Sequence, residues 1–176
     1  MLATVTATER GAVDRLLEAV VARLSDNGVR ILGALRATDT DGGTGHCNSD
    51  LRLLPDGPVV RITQDLGTRS TACRMDAGAL EEAVGIETAR LASQGADLIV
   101  LNKFGLSEAE GRGFRALIAE ALGQGIPVLT GLSDAHRAAF EAFADGLAAA
   151  LPPEEAAILD WCRAAVRPGV ATPEEA

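Results

Sequence analysis

Between Gly95 and Lys103 the chain reads "ADLIVLN", a run that stays apolar from Leu98 to Leu101 instead of alternating with polar residues. A strand of this kind has both faces covered, as in a parallel sheet sandwiched by helices. The flanking segments follow the same logic. "LATVTA" predicts a short strand from Leu2 to Thr6. "GAVDRLLEAVVARLSDNG" predicts a helix, because Val13, Leu16, Leu17, Val20, Val21 and Leu24 recur at helical spacing. Asn27-Gly28 stops that helix with residues that tolerate a left-handed conformation. "VRILGAL" (29 to 35) is the next strand, followed by a Gly-rich polar loop, "RATDTDGGTGHCNS".

"DLRLLPDGPVVRITQ" predicts a hairpin turning through Pro55-Asp56-Gly57, and "DLGTRSTACRMD" a second polar loop. Asp76 is placed to cap the helix "AGALEEAVGIETARLASQG", which ends at Gly95. Ser107, with Glu110 three residues on, predicts a capping box opening "SEAEGRGFRALIAEALGQG". "IPVLTGL" is a buried strand, and "SDAHRAAFEAFADGLAAAL" is expected to be one helix ending before Pro152-Pro153. "EEAAILDWCRAAV" adds a short helix, in which Trp161 and Cys162 read as packing residues. Strands alternating with helices predict a three-layer α/β domain with a mainly parallel sheet and an antiparallel hairpin at one edge. A length of 176 residues suits a single domain, here residues 1–165, with a polar C-terminal tail, 166–176.

Charge and composition narrow the function classes. The net charge of −9 argues against nucleic acid or an anionic membrane as partner, and an aromatic content of 3% leaves few platforms for stacking bases. No apolar run approaches the roughly 18 to 20 residues that span a bilayer, and the start of the chain lacks a signal-peptide pattern. The three cysteines, Cys47, Cys73 and Cys162, suit a reducing cytoplasm better than a disulfide framework.

In open α/β sheets ligands bind beyond the carboxyl ends of the strands. The loops "TATERG", 38 to 48, "NKFGLSEAEGRG" and "TGLSDAHR" are expected there, and "QDLGTRSTACRMD" can fold over the same end. A phosphate-binding P-loop needs glycines, a lysine and a following Ser or Thr; "TATERGAVDR" keeps only Gly11. "DLIVLN" ends in Asn102, a neutral amide and a poor sole ligand for magnesium. "LNKFG" echoes the guanine-reading motif of GTPases, yet Gly105 stands where the guanine-binding Asp would be. What the strand does carry is Lys103, the single lysine among sixteen basic residues. No nucleophile elbow, HExxH or Ser-His-Asp grouping is present, and His136 reads as a surface residue near a helix start.

"RITQDLGTRSTACRMDAGALEEA", "GADLIVLNKFGLSEAEGRGFRALIAEAL" and "GIPVLTGL" together resemble the bacterial domain-of-unknown-function family 2478 across about residues 4 to 165. "NKFG…EAEGRG" is the most specific piece. The layout is also similar to the thermophilic-type nucleoside-triphosphatases, in which a "DEIGxxE" segment stands where this chain has "NKFGLSE". Asn102 and Lys103 replace the two acids, whereas Gly105 and Glu108 match. The resemblance implies a P-loop-NTPase-like fold with a degenerate P-loop. It also implies a setting beside molybdate-uptake and molybdenum-enzyme genes.

Exchanging two acids for Asn and Lys turns a metal-attracting strand end into an anion-attracting one. The expected ligand site is Lys103 as the main charge and Asn102 as a hydrogen-bonding orienter. Arg112, Arg69 and Arg74 would close over the anion, and Ser70 and Thr71 would add neutral hydrogen bonds. The ligand would be a small anion: molybdate, phosphate or a nucleotide. Cys47 and Cys73, with His46 adjoining, would bind a soft metal or form a disulfide if their two loops meet. The reading is a cytoplasmic binding protein for a small oxyanion or phosphorylated ligand in molybdenum metabolism, without classical NTP hydrolysis. Two alternatives stay open: a magnesium-dependent nucleoside-triphosphatase using Glu108 or Asp50, and an interaction module regulating a transporter or molybdoenzyme. Composition leaves the cofactor unspecified and a homo-oligomer open.

Overall fold

The computed structural model describes residues 1–37, 50–64 and 74–166. Along the chain run β1 (Leu2–Val5), α1 (Ala12–Asp26), β2 (Ile31–Arg36), β3 (Leu51–Leu53), β4 (Val59–Val60), β5 (Thr63–Gln64) and β6 (Arg74–Met75). There follow α2 (Ala77–Gln94), β7 (Leu98–Phe104), α3 (Leu106–Ala109), α4 (Arg115–Gly123), β8 (Val128–Leu132), α5 (Arg137–Ala144), β9 (Ala148–Leu151) and α6 (Glu155–Ala165). Seven strands form one sheet in the order β4-β3-β2-β7-β8-β1-β9, and β5 and β6 pair separately. Strands β2, β7, β8, β1 and β9 are parallel, while β3 and β4 extend the β2 edge as the expected antiparallel hairpin.

Period-2 alternation assigns each central strand to two cores. Ile31, Leu35, Leu98 and Val100 pack with Leu17, Val20 and Leu24 of α1 and Ile158, Leu159 and Cys162 of α6. Leu32, Ala34, Ile99 and Leu101 face the other way, onto α2, α4 and α5. The sheet is therefore a middle layer with helices on both sides. Each fully buried Leu or Ile contributes about 1.5–3 kcal/mol. An Arg23–Glu155 ion pair at 2.7 Å ties α1 to α6. As expected, Asp76 caps α2 by accepting from the Ala79 N–H at 3.1 Å, and Cys162 is fully buried, which pushes its thiol up to about 12. No helix among the described residues is long and apolar enough to cross a membrane.

Three sequence expectations are corrected. The segment expected to be one helix up to Leu151 stops at Ala144, and Ala148–Leu151 is a strand. Asp145 (φ 46°) and Gly146 (φ 77°) take the left-handed conformation that ends α5. The alanines then pair in parallel with β1 and become the sheet edge, so strand pairing overrides their helical propensity. The second concerns the capping box, and the third the helix it was expected to open. The box is not formed by Ser107 and Glu110: Gly105 is the N-cap, and Glu108 reaches back to the Gly105 N–H at 2.9 Å. The helix expected to run unbroken through "EAEGRG" is interrupted between α3 and α4, where Gly111 (φ 85°) and Gly113 (φ 60°) turn the chain.

Candidate functional site

At the carboxyl ends of β2, β7 and β8 lies a cleft of about 390 Å³ among the described residues. Arg36 ends β2 at its rim, and Asp14, from the first turn of α1, pairs with it at 3.7 Å. Asn102 and Lys103 come from β7, and Gly105, Ser107 and Glu108 from the turn into α3. Ser133 and His136 follow β8, with Ser133 Oγ 3.1 Å from His136 Nδ1.

A bulge aims the β7 residues. Pairing with β8 runs through Leu101↔Thr130 and resumes at Phe104↔Leu132, so Asn102 and Lys103 together stand opposite Gly131. A Cβ on Gly131 would lie 2.2 Å from the Asn102 carbonyl oxygen; only glycine permits this approach. Bulges re-aim side chains beside functional clefts. Here the bulge leaves Asn102 half-buried and Lys103 exposed, between Leu101 and Phe104, which are fully buried. Lys103 makes no hydrogen bond or ion pair with another described residue, whereas Arg36 beside it is engaged by Asp14. The position of a Gly105 Cβ is 3.8 Å from Lys103 Cε, so the lysine stem runs close over Gly105.

Glu108 is 5% exposed, and both its oxygens are engaged by backbone: Oε2 by the Gly105 N–H at 2.9 Å and Oε1 by the Phe114 N–H at 3.0 Å. It closes the loop between α3 and α4 as a strut. Asp50 faces Arg61 at 3.7 Å, and its buried Oδ1 has no hydrogen-bond partner among the described residues. Among the described residues no group of three or more His, Cys, Asp or Glu side chains is arranged to hold a metal ion.

Of the expected ligand residues, Asn102, Lys103 and Arg112 have described side chains. Asn102 and Lys103 share the cleft, but Arg112 does not join them. It pairs with Glu110 and lines a separate cavity between α2 and the Gly111–Gly113 turn, because that break in the helix turns it away. Arg69, Ser70, Thr71, His46, Cys47 and Cys73 lie outside the described residues, as does the side chain of Arg74, whose backbone forms β6. Sequence reasoning missed Asp14, Arg36, Ser133 and His136 as cleft residues. The signal for the last two was present in the strand-end loop "TGLSDAHR"; His136 is half-buried against the cleft instead of lying on open surface.

This fold is that of P-loop-NTPase-like α/β proteins. The crystal structure of THEP1 from Aquifex aeolicus superposes with a TM-score of 0.66 at 15% identity, over 96% of this chain and 100% of that one. The solution structure of a human cancer-related nucleoside triphosphatase gives 0.60 at 15% identity, over 84% of this chain and 86% of that one. The chain belongs to the family described as "Protein of unknown function (DUF2478)", whose model matches residues 2–161. It is also 35% identical over 151 residues to "Molybdenum import ATP-binding protein ModC 2" of Bradyrhizobium diazoefficiens. That match covers 86% of this chain and only 17% of the relative.

Proposed function

We propose that this chain binds a small oxyanion or phosphorylated ligand at the carboxyl edge of its sheet, without P-loop-driven hydrolysis. The observation that carries the reading is Lys103: a bulge holds the chain's single lysine at the cleft, and no carboxylate among the described residues forms an ion pair with it. Asn102 beside it offers a neutral donor and acceptor. The P-loop position, "TATERGAVDR", retains neither the lysine nor the Ser or Thr that phosphate and magnesium chemistry requires. Engagement of both Glu108 oxygens by backbone weighs against that residue as a magnesium ligand. A setting in molybdenum metabolism is supported by the name of the 35% identical relative, and a cytoplasmic one by the cysteine usage.

Calorimetric titration with molybdate, tungstate, sulfate, phosphate, ATP and GTP tests the reading. Binding of at least one anion is expected, weakened more than tenfold, about 1.4 kcal/mol, in Lys103→Ala. Failure of every anion to bind would overturn it, as would magnesium-dependent phosphate release from ATP or GTP. A second reading, an interaction module, has its own support: a segment similar to this chain makes up 17% of a larger protein named as an import ATP-binding protein. A direct complex with a molybdate-transport ATPase, unaffected by Lys103→Ala, would favour that reading.

A further inference from the structure

The anion reading accounts for the polar lining of the cleft. The cleft also has an apolar lining, from Ile62, Met75, Leu80, Leu106 and Phe114. Ile62, Leu80 and Phe114 are core residues that show the cleft only an edge, at 8%, 5% and 3% exposure. Leu106 and Met75 differ: they are 57% and 39% exposed, two of only five large hydrophobic side chains left open among the described residues. Both line this cleft, together with Lys103, which has no hydrogen bond or ion pair with another described residue.

Size argues the same way. A tetrahedral oxyanion has a few times the ~30 Å³ share of a water molecule, far less than the cleft offers. Clefts of about 300–1,000 Å³ accommodate organic ligands, typically with apolar walls and a few placed polar groups. A bare anion would also leave Leu106 and Met75 in water, or would itself be desolvated against them.

Resting on the anion reading above, we infer that the ligand is an organic anion: a phosphate or similar oxyanion head carried on an apolar or flat aromatic body. Lys103 and Asn102 take the head, and Leu106 and Met75 select the body. Leu106 is the first residue of α3, three residues beyond Lys103, so one turn presents both halves of the recognition. The Met75 thioether is polarizable and suits an aromatic face.

The test is a calorimetric titration of the full chain with inorganic phosphate, 1-naphthyl phosphate and 1-naphthol. The expected result is 1-naphthyl phosphate binding at least tenfold more tightly than phosphate. Leu106→Ala should weaken 1-naphthyl phosphate at least threefold and leave phosphate within twofold; the residue is exposed, so the variant should fold. Equal affinity for phosphate and 1-naphthyl phosphate, or no response to Leu106→Ala, overturns the inference and leaves the anion reading standing. No binding of either phosphate, or 1-naphthol binding as tightly as its phosphate, also overturns the inference; the anion reading itself falls only if molybdate, tungstate, sulfate, ATP and GTP fail to bind as well.

Discussion

Glu108→Ala is expected to lower the stability of the fold by about 3 to 5 kcal/mol, a large part of the stability of an ordinary domain. The truncation strips the acceptor from two N–H groups, those of Gly105 and Phe114, at a carboxylate that is 5% exposed. Each buried donor left unmatched costs about 1–3 kcal/mol. Tight packing adds to this, since a Cβ on Gly113 would lie 2.4 Å from Glu108 Oε1. Glu108→Gln should recover part of the loss, because the amide keeps one acceptor but turns an N–H₂ toward the second donor. Urea denaturation of the three proteins gives the values. A Gln variant as stable as wild type would contradict the strut assignment and return Glu108 to the list of candidate cation ligands.

The other large effect depends on pH. Glu87, on α2, is fully buried; it accepts from the Gly33 N–H at 2.7 Å and lies 3.3 Å from Arg90 Nη1. Arg90 in turn donates to the Leu54 carbonyl at 2.8 Å, so the pair pins α2 to the middle of β2 and to the turn of the hairpin. Burial pushes the Glu87 carboxyl up from 4.5 to about 7, against the opposing pull of the Gly33 N–H and of Arg90. Between those values the folded protein holds a proton that the unfolded chain has released, so stability falls as pH rises. The contribution is fully present below pH 4.5 and lost as pH passes about 7, on the order of 3 kcal/mol. Asp97 acts in the opposite direction: the hydrogen bond from Arg30 holds it low, and its contribution fades only as pH falls through its depressed value. Comparing wild type with Glu87→Gln at pH 5 and pH 8 isolates the first effect. The stability difference between the two proteins should shift by about 3 kcal/mol across that range. A shift near zero would show that Glu87 is ionised throughout.

These two acids show where reading along the chain runs short. In "EEAVGIETARL" nothing separates Glu87 from Glu81 and Glu82 by composition, yet Glu87 alone of the three is buried. Its partner Gly33 is 54 residues away. Glu108 was legible as a family-like position, but its local role was misassigned by two residues. Ser107 and Glu110 satisfy the capping pattern as letters, while the bonds form around Gly105. The alanines of β9 carry the opposite lesson. Their propensity favours a helix, and the Asp145-Gly146 pair just before them was the local sign that the helix ends.

The layered α/β architecture was readable because it rests on periodicity within short segments. Apolar spacing in α1, the unbroken run in β7 and the Pro-Asp-Gly turn of the hairpin each depend on neighbours a few residues apart. The lone lysine and the missing P-loop were equally plain in one dimension. The bulge opposite Gly131, the exclusion of Arg112 from the cleft, and the open Leu106 and Met75 beside Lys103 came only with the folded chain. Each is set by register or burial between segments distant in sequence, and no local pattern encodes those contacts.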